Sequence, residues 1–229
     1  MTIHGEDDIL QVRSFGVCFY VLRDSSSLYL IDGGFIGGVS SLRRALKLAG
    51  WEAYPIKGII LTHGHLDHIL NVSNLVDATG AWVAAPTLDQ GHYDGLPTYK
   101  GLSKLVGVME KLGRLLFGFR AFQVDRYLND GDLITISGGL RVVHLPGHTE
   151  GHCGLYSESR KLLFAGDLFA SLGRFSHLPP RIFNRDEKAL RVSVGKALDL
   201  DLTRVLPNHC DRSTGEEHLK RLRSIAYRL

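Results

Sequence analysis

The sequence predicts a single domain of the α/β or α+β class, in which two clusters of strands pack against helices. Short apolar, β-prone segments fall into two groups along the chain, and amphipathic helical segments accompany each group. Hydrophobic residues make up 44% of the 229 positions and charged residues 22%, which allows one sizeable core and excludes global disorder. Since no repeat and no linker rich in Pro, Gly and Ser divides the chain, we take residues 1–229 as one domain.

The first cluster begins with a predicted β-hairpin, because residues 17–23 (VCFYVLR) and 28–31 are apolar and flank a polar turn. A helix is predicted over 40–49, where apolar residues recur at i, i+3, i+4 and i+7 and Gly50 follows. The remaining strands of this cluster are predicted at 56–61 and 81–84.

The second cluster consists of shorter strands joined by glycine-containing turns, with two amphipathic helices near the end of the chain. The predicted strands are 124–128, 133–136, 140–145, 152–157, 161–165 and 205–206, and the predicted helices are 186–200 and 214–227. In both clusters, side chains of the kinds that bind metals directly follow apolar strands. The ends of the strands are therefore where chemistry is expected.

The segment His63-Gly-His65-Leu-Asp67-His68 follows the apolar strand 56–61 and places three imidazoles and a carboxylate within six residues. Because a strand end holds the backbone in place, His63 and His65 can bind one metal ion. Asp67 and His68, one turn further on, can reach a second ion about 3.5–4 Å away. Imidazole and carboxylate ligands favour zinc, iron or manganese over calcium or magnesium. A polar loop whose histidines only cap a helix accounts poorly for so dense a cluster.

Three later segments repeat this arrangement. His148 follows the bend of Pro146 and Gly147 after a strand, Asp167 follows the apolar strand 161–165, and His209 follows a short strand. An aspartate after a strand is more often a turn former or a helix cap, so each segment alone is a weak signal. Together they are coherent, because each places a metal-binding type of side chain at the carboxyl end of a strand.

The ordered set of HxHxDH, PGHTxGH, Gly-Asp and a late histidine resembles the metallo-β-lactamase superfamily of metal-dependent hydrolases. Asp32, which follows an apolar strand and precedes two glycines, is similar to the first motif of that superfamily. The resemblance extends over about residues 15–210 and implies a four-layer αββα sandwich with metals at one edge. The sequence departs from the pattern at Asn208-His209-Cys210, where the superfamily usually has a turn of the Gly-His-Gly kind.

The resemblance implies two metal ions, both bound by histidines and aspartates of this chain. The first ion would be held by His63, His65 and His148, the second by Asp67, His68 and His209, and Asp167 would bridge both. Asp32 would contact neither ion but would orient the ligand loop through hydrogen bonds. His152 follows the PGHT motif closely and is expected near the site without being a ligand.

The same resemblance implies an enzyme, namely a zinc-dependent hydrolase with two Zn²⁺ per chain, with iron or manganese as alternative metals. A hydroxide bridging the two ions would attack the carbonyl of a small-molecule thioester, lactone or ester. Asp67 would be the catalytic residue that orients this hydroxide. Hydroxide is available at neutral pH because a metal-bound water has a pKa of about 7.

Two other activities remain open from the sequence. The thiol-oxidising branch of the superfamily, which resembles persulfide dioxygenases, uses one iron on two histidines and one aspartate, here His63, His148 and Asp167. A compact phosphodiesterase is the other alternative. A β-lactam substrate is not expected, because the β-lactamases lack the bridging aspartate that Asp167 matches.

The segment between His68 and His148 is expected to determine the substrate. It contains a long helix predicted over 102–119, which is apolar on more than one face. Such a helix belongs to the core, forms a lid over the metals, or contacts a partner such as a second copy in a homodimer. We expect it to border the mouth of the active site and to make that mouth apolar, which would favour acyl or lactone substrates over nucleotides.

Charge and cysteine content favour a cytoplasmic enzyme with a small-molecule substrate. The net charge is only +3, and no inserted domain concentrates it, so no nucleic-acid partner is expected. Three cysteines without CxxC spacing argue against a disulfide framework, and the acidic N-terminus does not resemble a signal peptide. No membrane partner is expected either, because no segment approaches the ~18 apolar residues of a membrane helix.

Overall fold

The computed structural model describes residues 2–4, 8–99 and 103–229, in which two β-sheets lie face to face with helices on both outer faces. The strands are β1 (Thr2–His4), β2 (Ile9–Arg13), β3 (Cys18–Asp24), β4 (Ser27–Ile31), β5 (Ile56–Ile60), β6 (Trp82–Pro86), β7 (Arg126–Leu128), β8 (Leu133–Ile134), β9 (Leu140–His144), β10 (Cys153–Ser157), β11 (Leu162–Gly166) and β12 (Arg204–Pro207). The α-helices are α1 (Gly38–Ala49), α2 (Leu66–Ile69), α3 (Val72–Thr79), α4 (Gln90–Tyr93), α5 (Lys104–Leu116), α6 (Glu187–Leu198) and α7 (Gly215–Ala226).

The two sheets differ in topology but share one feature that matters for the site. The first contains β1 to β7 in chain order, antiparallel from β1 to β4 and parallel from β4 to β7. The second has the order β12-β11-β10-β9-β8, in which only β11 and β12 are parallel. Each sheet therefore contains a parallel pair whose carboxyl ends lie side by side.

The four layers follow from the way in which successive side chains along each strand point to opposite faces of its sheet. Phe19 of β3 packs into a core with α1 and α3, whereas the next residue, Tyr20, packs between the sheets against Phe164 of β11, with ring centroids 5.4 Å apart. On β11, Leu163 faces the other way and packs with α6 and α7. Since successive side chains of a strand point to opposite faces, strands buried on both sides require a helix layer outside each sheet. The predicted αββα sandwich is confirmed.

The strands and helices predicted from the sequence are present, with ends shifted by at most three residues among the described positions. The sequence-based predictions missed β1, β2, α2, α3 and α4. Residues of β2 look polar in part, and its Gln11 is buried because the amide donates to Cys210 Sγ (3.0 Å). The helices α2 and α3 begin within or just after the HxHxDH segment, where we interpreted the sequence as a ligand loop.

The helix predicted over 102–119 is α5, and its observed range is Lys104–Leu116; residue 102 lies outside the described residues. It is not a core helix, because it buries only Val106, Glu110, Gly113 and Arg114 and exposes most of its large apolar side chains. Neither α5 nor any other helix in the described part of the chain combines the length and apolar character that crossing a bilayer requires.

Candidate metal centre

The side chains that the sequence singled out lie at the carboxyl ends of strands from both sheets. Asp32 and His63 follow β4 and β5, which are parallel neighbours in the first sheet. Asp167 and His209 follow β11 and β12, which are parallel neighbours in the second sheet, and His148 follows β9. Because the carboxyl ends of parallel strands meet at one edge of a sheet, distant parts of the sequence reach the same place.

The candidate ligands form two groups, in each of which one nitrogen or oxygen atom per residue lies within 4.8 Å of the others. The groups are His63, His65 and His148, and Asp67, His68, Asp167 and His209. Most of these side chains are buried, but Asp67 and His209 keep 31% and 32% of their side-chain surface exposed. The structure thus brings together all seven residues, in the two sets that the resemblance implies.

Asp167 lies between the two groups. Its Oδ2 is 3.3 Å from His148 Nε2 and 3.9 Å from His63 Nε2 on one side, and 3.1 Å from His209 Nε2 on the other. Its Oδ1 is 3.4 Å from His68 Nε2. A carboxylate so placed can contribute an oxygen to each of two neighbouring ions.

A hydrogen bond behind the ring of His63 determines which nitrogen faces the centre. Thr62 Oγ1 donates its single hydrogen to Asp32 Oδ2 (2.8 Å), so it accepts the ring N–H from His63 Nδ1 (3.0 Å). The lone pair of His63 therefore lies on Nε2, which is buried and points into the first group.

His148 and His209 are held in the same way. His148 Nδ1 donates to Asn184 Oδ1 (3.1 Å), and the orientation of that amide is set because its nitrogen donates to Pro179 O (2.8 Å). His209 Nδ1 donates to Gly16 O (2.9 Å). Both rings consequently direct Nε2 at the centre, and in the neutral ring, which is the form of histidine that binds a metal, Nε2 carries the lone pair.

Asp32 organises the second group from behind. It is fully buried and accepts hydrogen bonds from Thr62 N (2.8 Å), Thr62 Oγ1 (2.8 Å), His68 Nδ1 (3.2 Å) and Asn208 Nδ2 (2.6 Å). Asn208 stands where the superfamily usually has glycine. Its backbone carbonyl oxygen accepts a hydrogen bond from Cys18 N (2.7 Å). Asn208 therefore gives Asp32 a side-chain hydrogen-bond donor that glycine at this position would lack.

The buried polar atoms of the centre fit a metal ion. In the described part of the chain, His63 Nε2, His68 Nε2 and Asp167 Oδ1 are buried without a hydrogen-bond partner. Buried acceptors of this kind cost free energy unless a cation or a donor lies among them. The two groups together offer five imidazoles and two carboxylates. Zinc, iron and manganese prefer ligands of these kinds, so the residues fit the metals that the superfamily resemblance implies.

Asp89, which the sequence did not single out, connects the two ligand loops. Its carboxylate accepts from Gly64 N (2.9 Å) in the loop after β5, and from Thr149 Oγ1 (2.6 Å) and Gly151 N (2.8 Å) in the loop after β9. Nothing near Asp89 in the sequence indicates this role, since its partners come from distant parts of the chain.

His152 supports Asp167 without being a ligand. Its Nδ1 donates to Leu145 O (2.9 Å) and its Nε2 accepts from Asp167 N (3.0 Å), so that both ring nitrogens are used. Burial lowers the pKa of His152 to about 3, which keeps the ring neutral. Gly166 has φ +54°, and a Cβ there would lie 2.6 Å from His152 Nε2, so the approach of this ring requires glycine.

Two histidines of the first group and two of the second have pKa values that are shifted in opposite directions. Burial, reinforced by neighbouring imidazoles, lowers the pKa of His63 and His65 well below the usual value. Burial acts in the same direction on His68 and His209, but nearby carboxylates, first of all Asp167, outweigh it and raise the pKa of both well above the usual value. Protons therefore compete with a metal mainly in the second group.

A cavity of about 650 Å³ opens over the two groups. His65, Asp67, His148, Asp167 and His209 form its floor. Its walls include Phe15, Phe35, Leu66, Val106, Met109, Phe117, Phe169, Leu172, Pro179, Pro180 and Phe183. Among the described lining residues there is no lysine or arginine, and α5 forms one wall of the cavity. The cavity is therefore apolar above a polar, metal-binding floor.

The order of the ligands along the chain and their convergence at one edge of an αββα sandwich point to one family. Residues 13–209 match the sequence profile of the Metallo-beta-lactamase superfamily. The chain belongs to this superfamily. It is therefore an enzyme related to metal-dependent hydrolases, and the two groups described above are its candidate metal ligands.

Relatives in the superfamily include hydrolases of similar length. The probable metallo-hydrolase YflN of Bacillus subtilis is 25% identical over 245 residues, covering 99% of this chain and 90% of YflN. The hydroxyacylglutathione hydrolase GloC of Haemophilus influenzae is 31% identical over 165 residues, covering 70% of each chain. The crystal structure of TTHA1623 in a di-iron-bound form has a TM-score of 0.67 and 26% identity, and it covers 93% of this chain and 97% of TTHA1623.

Proposed function

We propose that the protein is a dinuclear metal-dependent hydrolase that cleaves a small-molecule thioester, lactone or ester with an apolar acyl portion. The observation that carries this proposal is the pair of ligand groups that share the Asp167 carboxylate at the floor of an apolar cavity. Two complete groups favour a dinuclear enzyme, because a mononuclear iron enzyme using His63, His148 and Asp167 leaves His68 and His209 without a function.

Zinc is the metal that we propose for both sites, with iron or manganese as alternatives. His63, His65 and His148 would hold one ion, Asp67, His68 and His209 the other, and Asp167 both. Bound there, the metals would supply an activated water at neutral pH and polarise the carbonyl of the substrate. The di-iron form of TTHA1623 supports double occupancy and keeps iron among the alternatives.

Asp67 is the residue that we propose to orient the attacking hydroxide. Its carboxylate lines the cavity and lies 3.3 Å from His209 Nε2 and 3.5 Å from His68 Nε2. Although burial alone would raise it, the charges of these two histidines hold the pKa of Asp67 well below the usual value. The side chain is therefore an anion at neutral pH and can accept a hydrogen bond that holds the attacking oxygen in place, while the metals would supply the acidity of the water.

The walls of the cavity support an apolar acyl group as the part of the substrate that is bound. Phe35 lies between Phe15 and Phe117, with ring centroids 6.4 Å and 5.5 Å away, and these rings give the wall a continuous aromatic surface. The described lining residues include no lysine or arginine that could pair with a phosphodiester. This contrast favours a carbonyl substrate over the phosphodiesterase alternative.

The experiment that tests the proposal combines metal analysis with a substrate screen on the purified protein. We expect about two zinc ions per chain and hydrolysis of acyl thioesters, lactones or esters, because the fold holds two donor sets. One iron per chain with oxygen consumption on a persulfide would instead establish the thiol-oxidising alternative. Preferential cleavage of a phosphodiester would establish the phosphodiesterase alternative.

We predict that Asp67→Ala lowers kcat for the best substrate at least about 100-fold, because loss of the correct orientation of a reacting group can cost about 10² in rate. Steady-state kinetics together with metal content measure this effect. Asp199→Ala, at an exposed position, is the matched control and should retain wild-type rates. If Asp67→Ala turned over as fast as the wild type, the assigned role of Asp67 would be wrong.

A further inference from the structure

The helix α5 buries charged residues and exposes apolar ones, which is the reverse of an ordinary surface helix. Beneath it, Arg114 pairs with Glu110 (3.1 Å), and Glu110 also accepts from Leu66 N (3.2 Å) at the start of α2. On its outer side, six large apolar side chains are each more than half exposed: Leu105, Val108, Met109, Leu112, Leu115 and Leu116. Surface helices normally direct such residues inward, so we expect this face to be covered when the protein works.

The exposed face of α5 is continuous with the mouth of the cavity. Met109 belongs to that face and also lines the cavity. Elsewhere around the same cavity, Phe15 and Leu172 are lining residues that remain 72% and 43% exposed, and Phe175, close to Leu172 in sequence, is 66% exposed. We call these three residues, together with the six on α5, the mouth face. Three separate segments of the chain thus contribute apolar side chains to it.

The charges that accompany the mouth face are positive. Lys104 and Lys111 are exposed on α5 and form no ion pair with the described residues. Arg174 lies between Leu172 and Phe175 in sequence, with its guanidinium 4.8 Å from the ring centre of Phe175. The one acidic residue of α5, Glu110, is buried and paired. The surface is therefore apolar and cationic, with no exposed carboxylate on the helix.

A second copy of this chain complements the mouth face poorly. In a two-fold dimer the same surface meets itself, so each cation would approach other cations instead of carboxylates. An anionic lipid surface complements both properties, because leucine and phenylalanine enter the acyl boundary while lysine and arginine meet the headgroups.

We propose that the mouth face adsorbs to an anionic lipid surface, with α5 in the interface and the cavity open towards the acyl chains. Adsorption needs no spanning helix, so a helix of 13 residues suffices. This differs from the expectation of no membrane partner, which rested on the lack of a spanning segment. Entry of an apolar substrate from the lipid rests on the proposed function, whereas adsorption itself does not.

Co-sedimentation with lipid vesicles tests the proposal. We expect the protein to bind vesicles of phosphatidylcholine with about 30% phosphatidylglycerol more tightly than vesicles of phosphatidylcholine alone, and to be released by salt. The Val108→Ser/Leu112→Ser variant should bind at least tenfold more weakly, and Lys104→Ala/Lys111→Ala should lose about fivefold per lysine. Leu48→Ser and Val192→Ser, at exposed apolar positions on α1 and α6, are matched controls that should bind like the wild type.

The wild type remaining in the supernatant with anionic vesicles would overturn the proposal. So would a stable dimer in sedimentation equilibrium that Val108→Ser/Leu112→Ser dissociates, because a second copy would then cover the face. Binding of the protein to vesicles is measured in the absence of substrate. Hydrolysis of a short soluble ester is measured separately, in the absence of vesicles. Failure of the lipid proposal is therefore distinguishable from failure of the proposed hydrolase function.

Discussion

Four imidazoles of the metal centre donate Nδ1–H to an acceptor behind the ring, and this decides their chemistry before any metal binds. The acceptors are Thr62 Oγ1 for His63, Asp32 for His68, Asn184 for His148 and the Gly16 carbonyl for His209. Each of these bonds directs Nε2 at the centre, so Nε2 is the atom that carries the lone pair whenever the ring is neutral. The ligand residues were predictable from the HxHxDH and PGHT motifs and from the late histidine after a strand, but three of the four acceptors carry no signal in the sequence.

We predict that Asn208→Ala and Asn184→Ala weaken different metal sites. Asn208→Ala removes a donor to Asp32 and thereby loosens His68, so the second group should lose about 10–100-fold in metal affinity. Asn184→Ala removes the acceptor of His148, so the first group should lose a similar factor. Titration against a competing chelator measures both affinities. Equal weakening of both sites by either variant would contradict this assignment.

At the scale of elements, the first turn of α6 positions the loop that carries His148. The Asp186 carboxylate caps this helix by accepting from the backbone N–H groups of residues 188 and 189 (2.8 and 3.0 Å), and Asp186 N donates to Gly147 O (2.9 Å). Gly147 has φ +131°, and a Cβ there would lie 2.3 Å from Leu190 N. The loop therefore approaches α6 this closely only with glycine at this position, and the residue that caps the helix also hydrogen-bonds to the loop.

We predict that Asp186→Ala lowers the free energy of unfolding by about 1 kcal/mol, the usual cost of losing an N-cap side chain. Because the same turn supports His148, the variant should also bind the first metal ion more weakly. Urea denaturation of the metal-free protein separates the two effects. Asp186→Asn keeps an acceptor oxygen and is the matched control, so destabilisation of equal size in that variant would argue against capping as the cause.

At the scale of the whole molecule, the metal centre exists only when the two sheets are packed together. The first sheet supplies His63 and the loop that follows it, and the second supplies His148, Asp167 and His209. Asp167 makes the two groups electrostatically dependent on each other, since it is the leading cause of the raised pKa of His68. Metal binding and docking of the sheets should therefore be coupled.

We predict that acidification removes the second metal ion before the first. In the metal-free protein the pKa values of His68 and His209 are raised, so protons occupy these ligands already at a pH where His63 and His65, whose pKa values are lowered, remain neutral. Dialysis at stepwise lower pH from about 8 to about 5 should take the metal content from two ions to one and then to none. Loss of both ions in one step, or retention of the ion at Asp67, His68 and His209 alone, would contradict the prediction.

The sequence by itself determined most strands, most helices and the seven candidate ligands, because these depend on local periodicity and on motifs at strand ends. Only the tertiary structure showed that Asp89 connects the two ligand loops and that Asn184 and Asn208 hold ligands in place, because those hydrogen bonds join residues far apart in the chain. It also decided which side of α5 is buried. Periodicity shows that a helix is apolar on several faces, but the side that packs inward depends on partners such as the backbone of Leu66, which the buried Glu110 contacts.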